Sequence, residues 1–391
     1  MISTDAMLAH TMTHAEPTAN TANAHASAPN SSVTMIGATP KQIIATYRHM
    51  PLKEKRCGQM PTKPLPARPP KPRATSTIPT QDDCMPRCFV TGTYHFPTIP
   101  GHEFSGQIVA VGDDVDESLL GKRSCVFPML PCKHCKACKM EEYAQCSGYS
   151  YFGSRQDGAW AEYLVVPVWN LVPFDDTLDY KTAALCEPAA VSMHAVNIGD
   201  IKEGQNVVII GTGTIGFMIA LFAKERTKTG KVVIAGRSKN KLEYAKKLGF
   251  DVVDTSVDDL PAQVKKIIGI DGADVTFEAV GSNEAIASAI ESTGALGSIV
   301  LVGNPSTDLI LPKNIYWSIL RKQITVKGSW NSSYNSRVND WKKALEVFEH
   351  SDVNFADLIT HTFTIEENEK AFSAIRNTGE FTLKVMFTFD D

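Results

Sequence analysis

The stretch PCKHCKACKMEEYAQC places Cys132, Cys135, Cys138 and Cys146 at the spacing C-x2-C-x2-C-x7-C. Tight turns at such a spacing let four thiolates converge on one Zn2+, and four sulfurs leave no open coordination position. A closed site of this kind holds a lobe together and does no chemistry. An iron–sulfur cluster is the alternative, since a C-x2-C-x2-C start also suits one. The longer gap to the fourth cysteine, with no Cys-Pro after it, favours zinc. Upstream, TQDDCMPRCFVTGTYHFPTIPGHEFSG (residues 80–106) carries Cys84 and Cys88 ahead of His102 and Glu103. Thiolate, imidazole and carboxylate are ligand types of catalytic zinc, so this stretch raises the question of a second metal.

The run NVVIIGTGTIGFMIA has Gly211, Gly213 and Gly216 in G-x-G-x-x-G order, with Ile215 inside the motif. A strand pattern precedes it and a helical one follows, which is the context a dinucleotide site requires. Gly211 permits the tight turn, Gly213 lets a pyrophosphate approach the backbone, and Gly216 allows close helix–strand packing. The helix N-terminus then offers its free N–H groups to the phosphates. An NAD site would place a carboxylate about 20 residues on, at the end of the next strand. Here that strand ends VVIAGRSKNK, with Gly236 followed by Arg237. Without the acid nothing repels a 2′-phosphate, and a guanidinium can pair with it, which favours NADP. A solvated Arg237 would leave NAD as the coenzyme. Lys241, one helical turn further, can reach the same ribose and is equally well explained as a surface lysine.

The elements that must position these groups are legible in outline. EFSGQIVAVG and WAEYLVVPVWNLVPF read as strands, and YKTAALCEPAAVSMHAVN has helical spacing. Then NVVIIG, KVVIAG, ADVTFEAVG and GSIVLVGN alternate with the helical runs TIGFMIALFAKE, NKLEYAKKLG and NEAIASAIESTG. Short apolar strands alternating with amphipathic helices call for a parallel sheet covered on both faces. The reading is an α/β domain over 191–328, inserted between two pieces, 86–190 and 329–391, of a more β-rich domain. Residues 1–80 differ: HTMTHAEPTANTANAHASAPNSS has no apolar period and MPTKPLPARPPKPRATSTIPT is dense in Pro and basic residues. Neither buries enough apolar surface to offset chain entropy, so disorder is expected there.

A chain of 391 residues is long for one core, which fits two domains. With 43% hydrophobic and 21% charged residues and a net charge of −4, it gives no electrostatic reason to expect nucleic acid or an anionic membrane as partner. No apolar run reaches the roughly 18 residues that span a bilayer. No basic and apolar leader opens the sequence, so the cytoplasm is the expected location.

With GHEFSG, the four-cysteine segment, DGAWAEY, CEPAAVSMHAV and GTGTIG in this order, residues 86–391 resemble the zinc-dependent medium-chain dehydrogenases. Within that family FGSRQDGAWAEY and ILRKQITVKGSW are most similar to polyol dehydrogenases of the galactitol 1-phosphate type. The resemblance implies a GroES-like catalytic domain joined to a Rossmann domain, two zinc ions, NAD or NADP, and a homodimer or homotetramer. It also implies His102 as a ligand of a catalytic zinc, Glu103 beside it as ligand or immediate neighbour, and Glu187 as a carboxylate ligand. FEAVG and LVGN match strand ends that line the nicotinamide pocket in the family. The implied reaction is hydride transfer from a secondary hydroxyl of a polyol or polyol phosphate, with Arg155 as a candidate partner for a phosphate. Another secondary alcohol, such as threonine or a butanediol, is the alternative substrate.

One departure stands out. The family reads C-G-S-D-x-P-R ahead of its G-H-E, and alignment on Pro86 and Arg87 puts its cysteine ligand at Gln81 and its relay serine at Asp83. Cys84 can serve as a ligand only if the loop shifts, and Cys88 lies beyond the motif. The expected N-terminal strand pattern gives way to the Pro-rich segment, as a shift of reading frame just before Pro86 would produce. A catalytically impaired homologue that keeps only the structural zinc is therefore a competing expectation.

Overall fold

The computed structural model describes residues 98–377 and 379–389, together with the backbone of two strands, β1 (Val33–Gly37) and β2 (Thr75–Ile78). The chain divides into Met1–Ser31, which lies outside the described residues, and Ser32–Asp391, which holds everything below. Both early strands fall within the segment 1–80 for which the sequence suggested disorder; their backbones are paired with later strands. Gln81, Asp83, Cys84 and Cys88 lie outside the described residues.

Strand β3 (Phe104–Val111) begins directly after His102 and Glu103 and pairs antiparallel with β1, β2 and β4 (Arg123–Val126). A two-stranded ladder, β5 (Met129–Leu130) with β6 (Ser150–Tyr151), brackets the four-cysteine lobe. β7 (Leu164–Pro167) pairs with β1, and β8 (Leu171–Pro173) with β4.

The chain then builds a second sheet from β9 (Val207–Ile210), β10 (Val232–Gly236), β11 (Asp251–Asp254), β12 (Ala273–Glu278), β13 (Thr293–Leu301) and β14 (Thr325–Gly328). Its order is β11-β10-β9-β12-β13-β14 and every pairing is parallel. Helices α1 (Cys186–Gly199), α2 (Thr214–Thr227), α3 (Lys239–Lys247), α4 (Leu260–Ile268), α5 (Asn283–Ser292) and α6 (Lys313–Lys322) are distributed before and between these strands. Val207 and Ile209 join one apolar cluster while Val208 and Ile210 join another, and Val232/Ile234 and Val233/Ala235 divide in the same way. Each strand is thus buried on both faces, which is why it reads as an unbroken apolar run rather than an alternation. This is the Rossmann-like parallel sheet of the expected fold class, its strands lying between Val207 and Gly328 and preceded by α1.

After α7 (Asp340–His350) the chain returns to the first sheet through β15 (Ile359–Thr364), α8 (Asn368–Arg376) and β16 (Lys384–Thr388). β16 pairs parallel with β15 and antiparallel with β2, completing eight strands. One core cluster unites both domains: Ala183 to Val196, Phe217 to Ala223, and Trp341, Leu345 and Phe348 of α7. The two halves therefore share apolar packing, and the site residues below sit on elements that it fixes.

Candidate functional site

Around the lobe, the sulfurs of Cys132, Cys135, Cys138 and Cys146 all lie within 4.8 Å of one another. A short helix, Lys136–Lys139, and the left-handed backbone of Lys133 (φ 61°) and Glu141 (φ 61°) turn the segment tightly enough to bring them together. Backbone donors are aimed at the thiols: the Cys135 N–H lies 3.4 Å from the Cys132 sulfur, and the Cys132 N–H 3.3 Å from that of Cys146. The N–H groups of His134 and Cys135 hold the Cys132 thiol below its ordinary range. Those of Cys138 and Ser147 bring Cys135 down to about 5. Burial, reinforced by the neighbouring thiols, pushes Cys138 up to about 12. Preformed donors that favour thiolates, and sulfurs in one compact group, fit a tetrahedral zinc with no open position.

His102, Glu103 and Glu187 form the second cluster, their donor atoms within 4.8 Å of one another. All three are 9% exposed or less. Gly101 introduces His102 in a left-handed turn (φ 98°), and a Cβ on Gly158 would stand 2.1 Å from the Gly101 carbonyl oxygen. The Gly158, Ala159 and Trp160 N–H groups donate to Ile99, Gly101 and Pro100. The DGAW segment therefore clamps the chain entering β3, and bare backbone is what lets it come so close. Glu187 lies in the first turn of α1, where the helix N-terminus favours a carboxylate and Pro188 costs no intrahelical hydrogen bond. One imidazole and two carboxylates are a donor set that fits a catalytic zinc.

Glu103 has a partner that sequence reasoning missed. The Lys384 ammonium makes a direct ion pair with the Glu103 carboxylate, and both side chains are 3% exposed. Burial of two charges is tolerable only when they are matched. The signal was present in the sequence as a lone lysine within the apolar run TLKVMFTF. Tyr151 and Asn331 were missed as well: the Tyr151 hydroxyl donates to Glu187 Oε1 at 3.1 Å, and Asn331 Nδ2 lies 3.4 Å from the Tyr151 oxygen. Arg155 donates to the Tyr149 carbonyl at 2.7 Å and stacks over the Tyr149 ring at 3.9 Å.

At the dinucleotide turn Gly211 has φ 124°, and a Cβ on Gly216 would fall 2.0 Å from the Gly211 oxygen. Around Gly213 a Cβ would meet nothing within 4 Å. Gly213 caps α2 without any side-chain hydrogen bond to the helix N–H groups, which suits an incoming anion. Ile215 packs against the shared core. Glu278, at the end of β12, accepts from the N–H groups of Val280 and Gly281 at 2.7 and 2.8 Å and so shapes the FEAVG turn beside Gly211. Burial raises its pKa. Arg237, directly after β10, is exposed, and Lys241 on α3 is partly buried, which lowers its pKa.

Two family models match the chain: an alcohol dehydrogenase GroES-like domain over residues 74–176 and a zinc-binding dehydrogenase over residues 214–350. Together with the two sheets and the donor clusters, they define a zinc-dependent medium-chain dehydrogenase, and the chain belongs to this alcohol and polyol dehydrogenase family. Galactitol 1-phosphate 5-dehydrogenase of Escherichia coli (strain K12) is 33% identical over 294 residues, 73% of this chain and 83% of that one. Sorbitol dehydrogenase of Halalkalibacterium halodurans is 33% identical over 299 residues, 75% of this chain and 83% of its own. The crystal structure of galactitol-1-phosphate dehydrogenase from Escherichia coli superposes with a TM-score of 0.72 at 28% identity, covering 91% of this chain and 99% of that one. Among the described residues no helix is long and apolar enough to cross a membrane.

Proposed function

We propose that the protein oxidises a secondary hydroxyl of a polyol or polyol phosphate, of the galactitol 1-phosphate type, and passes the hydride to NADP or NAD. The observation that carries this reading is the buried His102, Glu103 and Glu187 cluster in a chain one-third identical to polyol dehydrogenases. A zinc ion held there supplies the Lewis acidity that lowers the pKa of the substrate hydroxyl. The chain's own residues do the rest. His102 and Glu187 supply nitrogen and oxygen donors from opposite segments, while Lys384 neutralises Glu103 and fixes its direction. The open N-terminus of α2 receives the pyrophosphate, and Gly211 and Gly216 keep the turn close to the sheet. Exclusion of water and alignment of the reacting carbon with the nicotinamide make up the protein's share of the acceleration.

NADP is the coenzyme that the end of β10 favours: it has no carboxylate, Arg237 is exposed there, and Lys241 is nearby. A homodimer or homotetramer in the cytoplasm completes the reading. Support for assembly comes from β14, the edge strand of the parallel sheet, and from the exposed Tyr316, Trp317, Leu320, Val326 and Trp330 on and around it. Light scattering on the purified protein reads the mass directly.

The competing reading, an impaired homologue with the lobe zinc alone, rests on Gln81 and Asp83 standing where the family has its cysteine ligand and relay serine. One experiment separates the two: metal analysis combined with assays of polyols and polyol phosphates against both coenzymes. Two zincs per chain with turnover support the dehydrogenase. One zinc without turnover on any member of the panel overturns it.

A further inference from the structure

Tyr151 joins two segments distant in the chain through its hydroxyl. It lies on β6, 8% exposed, with its ring 5.5 Å from that of His102 in an edge-on arrangement. Its hydroxyl donates to Glu187 Oε1 at 3.1 Å, and the amide of Asn331 reaches the same hydroxyl oxygen at 3.4 Å. Amide, phenol and carboxylate thus run in one direction, each donor followed by the next acceptor. Asn331 belongs to the loop that leaves β14, where the chain returns from the Rossmann sheet to the β-rich domain that also holds Tyr151 and His102.

The loop bearing Asn331 is itself held in place. Asn331 sits in the left-handed region (φ 56°), which asparagine tolerates better than most residues. Its Oδ1 accepts from the Ser332 N–H at 2.8 Å, and the Ser332 hydroxyl accepts from the Trp341 indole at 2.9 Å. Asp340, fully buried, accepts from the Ser333 N–H at 2.7 Å and from Asn197 Nδ2 at 2.8 Å, and meets His194 Nδ1 at 3.0 Å. Asn197 and His194 lie on α1, the helix that carries Glu187. One buried carboxylate therefore ties the Asn331 loop to the helix that presents the metal-binding one.

We propose that Tyr151 is the positioning residue for the Glu187 carboxylate as a metal ligand, and that Asn331 orients Tyr151 from the loop that follows the Rossmann sheet. A carboxylate at a helix N-terminus can rotate about its last bond, and a charge-assisted bond from a buried phenol to one oxygen removes that freedom. Neighbours that orient a ligand in this way contribute substantially to metal affinity. The longer Asn331 contact makes it the weaker link. This inference rests on the proposed catalytic metal at His102 and Glu187, and its test distinguishes failure of one from failure of the other.

The test uses the full chain and its Zn2+ affinity, measured by chelator competition, together with the visible spectrum of the Co2+-loaded protein. Tyr151→Phe is expected to weaken the second metal site about 10–100-fold. It should also shift the cobalt d–d bands of that site, while the thiolate-to-cobalt bands of the lobe and the thermal midpoint stay where they are. Asn331→Ala is expected to weaken the same site by a smaller factor, about threefold. The double variant should bind no more weakly than Tyr151→Phe, because Asn331 acts through Tyr151. If Tyr151→Phe does not fold, Asn331→Ala reads the same link. Two zincs in the wild type with unchanged affinity and spectrum in both variants would overturn the positioning role and leave the dehydrogenase reading standing. Additive losses in the double variant would overturn the role of Asn331. A wild-type chain that binds only the lobe metal would overturn the dehydrogenase reading, and this inference with it.

Discussion

The lobe's four donors come from one short segment, Cys132 to Cys146, and the backbone N–H groups that tune them come from that segment and its next residue, Ser147. The other cluster is assembled from afar. His102 enters β3, Glu187 opens α1, Lys384 begins β16, and Tyr151 and Asn331 reach in from two further elements. The first site is a property of local chain geometry. The second is a property of the packed molecule, and an error in any of five segments misplaces it. The closed thiolate set suits structure, and the mixed, distributed set suits chemistry.

His102→Ala breaks the comparison hardest. It is expected to cut turnover by at least about 10³-fold, since the metal's Lewis acidity is worth several kcal/mol. Zinc analysis should still find the lobe metal in place. Lys384→Met comes next: it leaves the buried Glu103 without its cation and should cost about 3–5 kcal/mol. A lower urea midpoint would report this, and Lys384→Arg should restore most of it. Cys138→Ser does the opposite of His102→Ala. It should empty the lobe and lower the thermal midpoint by more than about 5 °C, with turnover retained by the molecules that stay folded.

Acidification sharpens the contrast further. Because the Cys135 thiol is drawn down to about 5, its contribution to holding metal is complete above the ordinary thiol range and is lost as pH falls through that value. Zinc release from the lobe, followed with a chromogenic chelator, is expected to increase as the pH falls, because protons compete with the metal for the thiolates. The smallest effect concerns the coenzyme: Arg237→Ala should lower the preference for NADP over NAD about tenfold. Paired kinetics with both coenzymes test it, and an unchanged ratio would return Arg237 to the role of a solvated surface residue.

Legibility from sequence followed the same division. The lobe and the dinucleotide turn are encoded by neighbours in the chain, so spacing alone identified Cys132, Cys135, Cys138 and Cys146, and Gly211, Gly213 and Gly216. The parallel sheet was readable because strands buried on both faces leave unbroken apolar runs. His102 and Glu187 needed the family resemblance, since a single histidine or glutamate is more often structural than functional. Tyr151 and Asn331 could not be read at all, and Lys384 showed only as a lone lysine in an apolar run. Their roles depend on pairings between distant segments, and no local pattern marks a tyrosine whose hydroxyl finds a carboxylate thirty-six residues on. The strands β1 and β2 were likewise invisible, because short segments in a polar and Pro-rich context acquire strand geometry only from partners such as β3 and β16.

The buried Glu103–Lys384 pair also sets an order of assembly on the ribosome. Domains fold as they emerge, and a segment complete within itself can fold early. The thiol lobe has all its donors once Cys146 is out, whereas the cation that balances Glu103 is delivered only with β16, long after the lobe. A nascent chain arrested before Lys384 is therefore expected to carry the lobe metal and to lack a competent second site. Maturation of the catalytic half waits on β16.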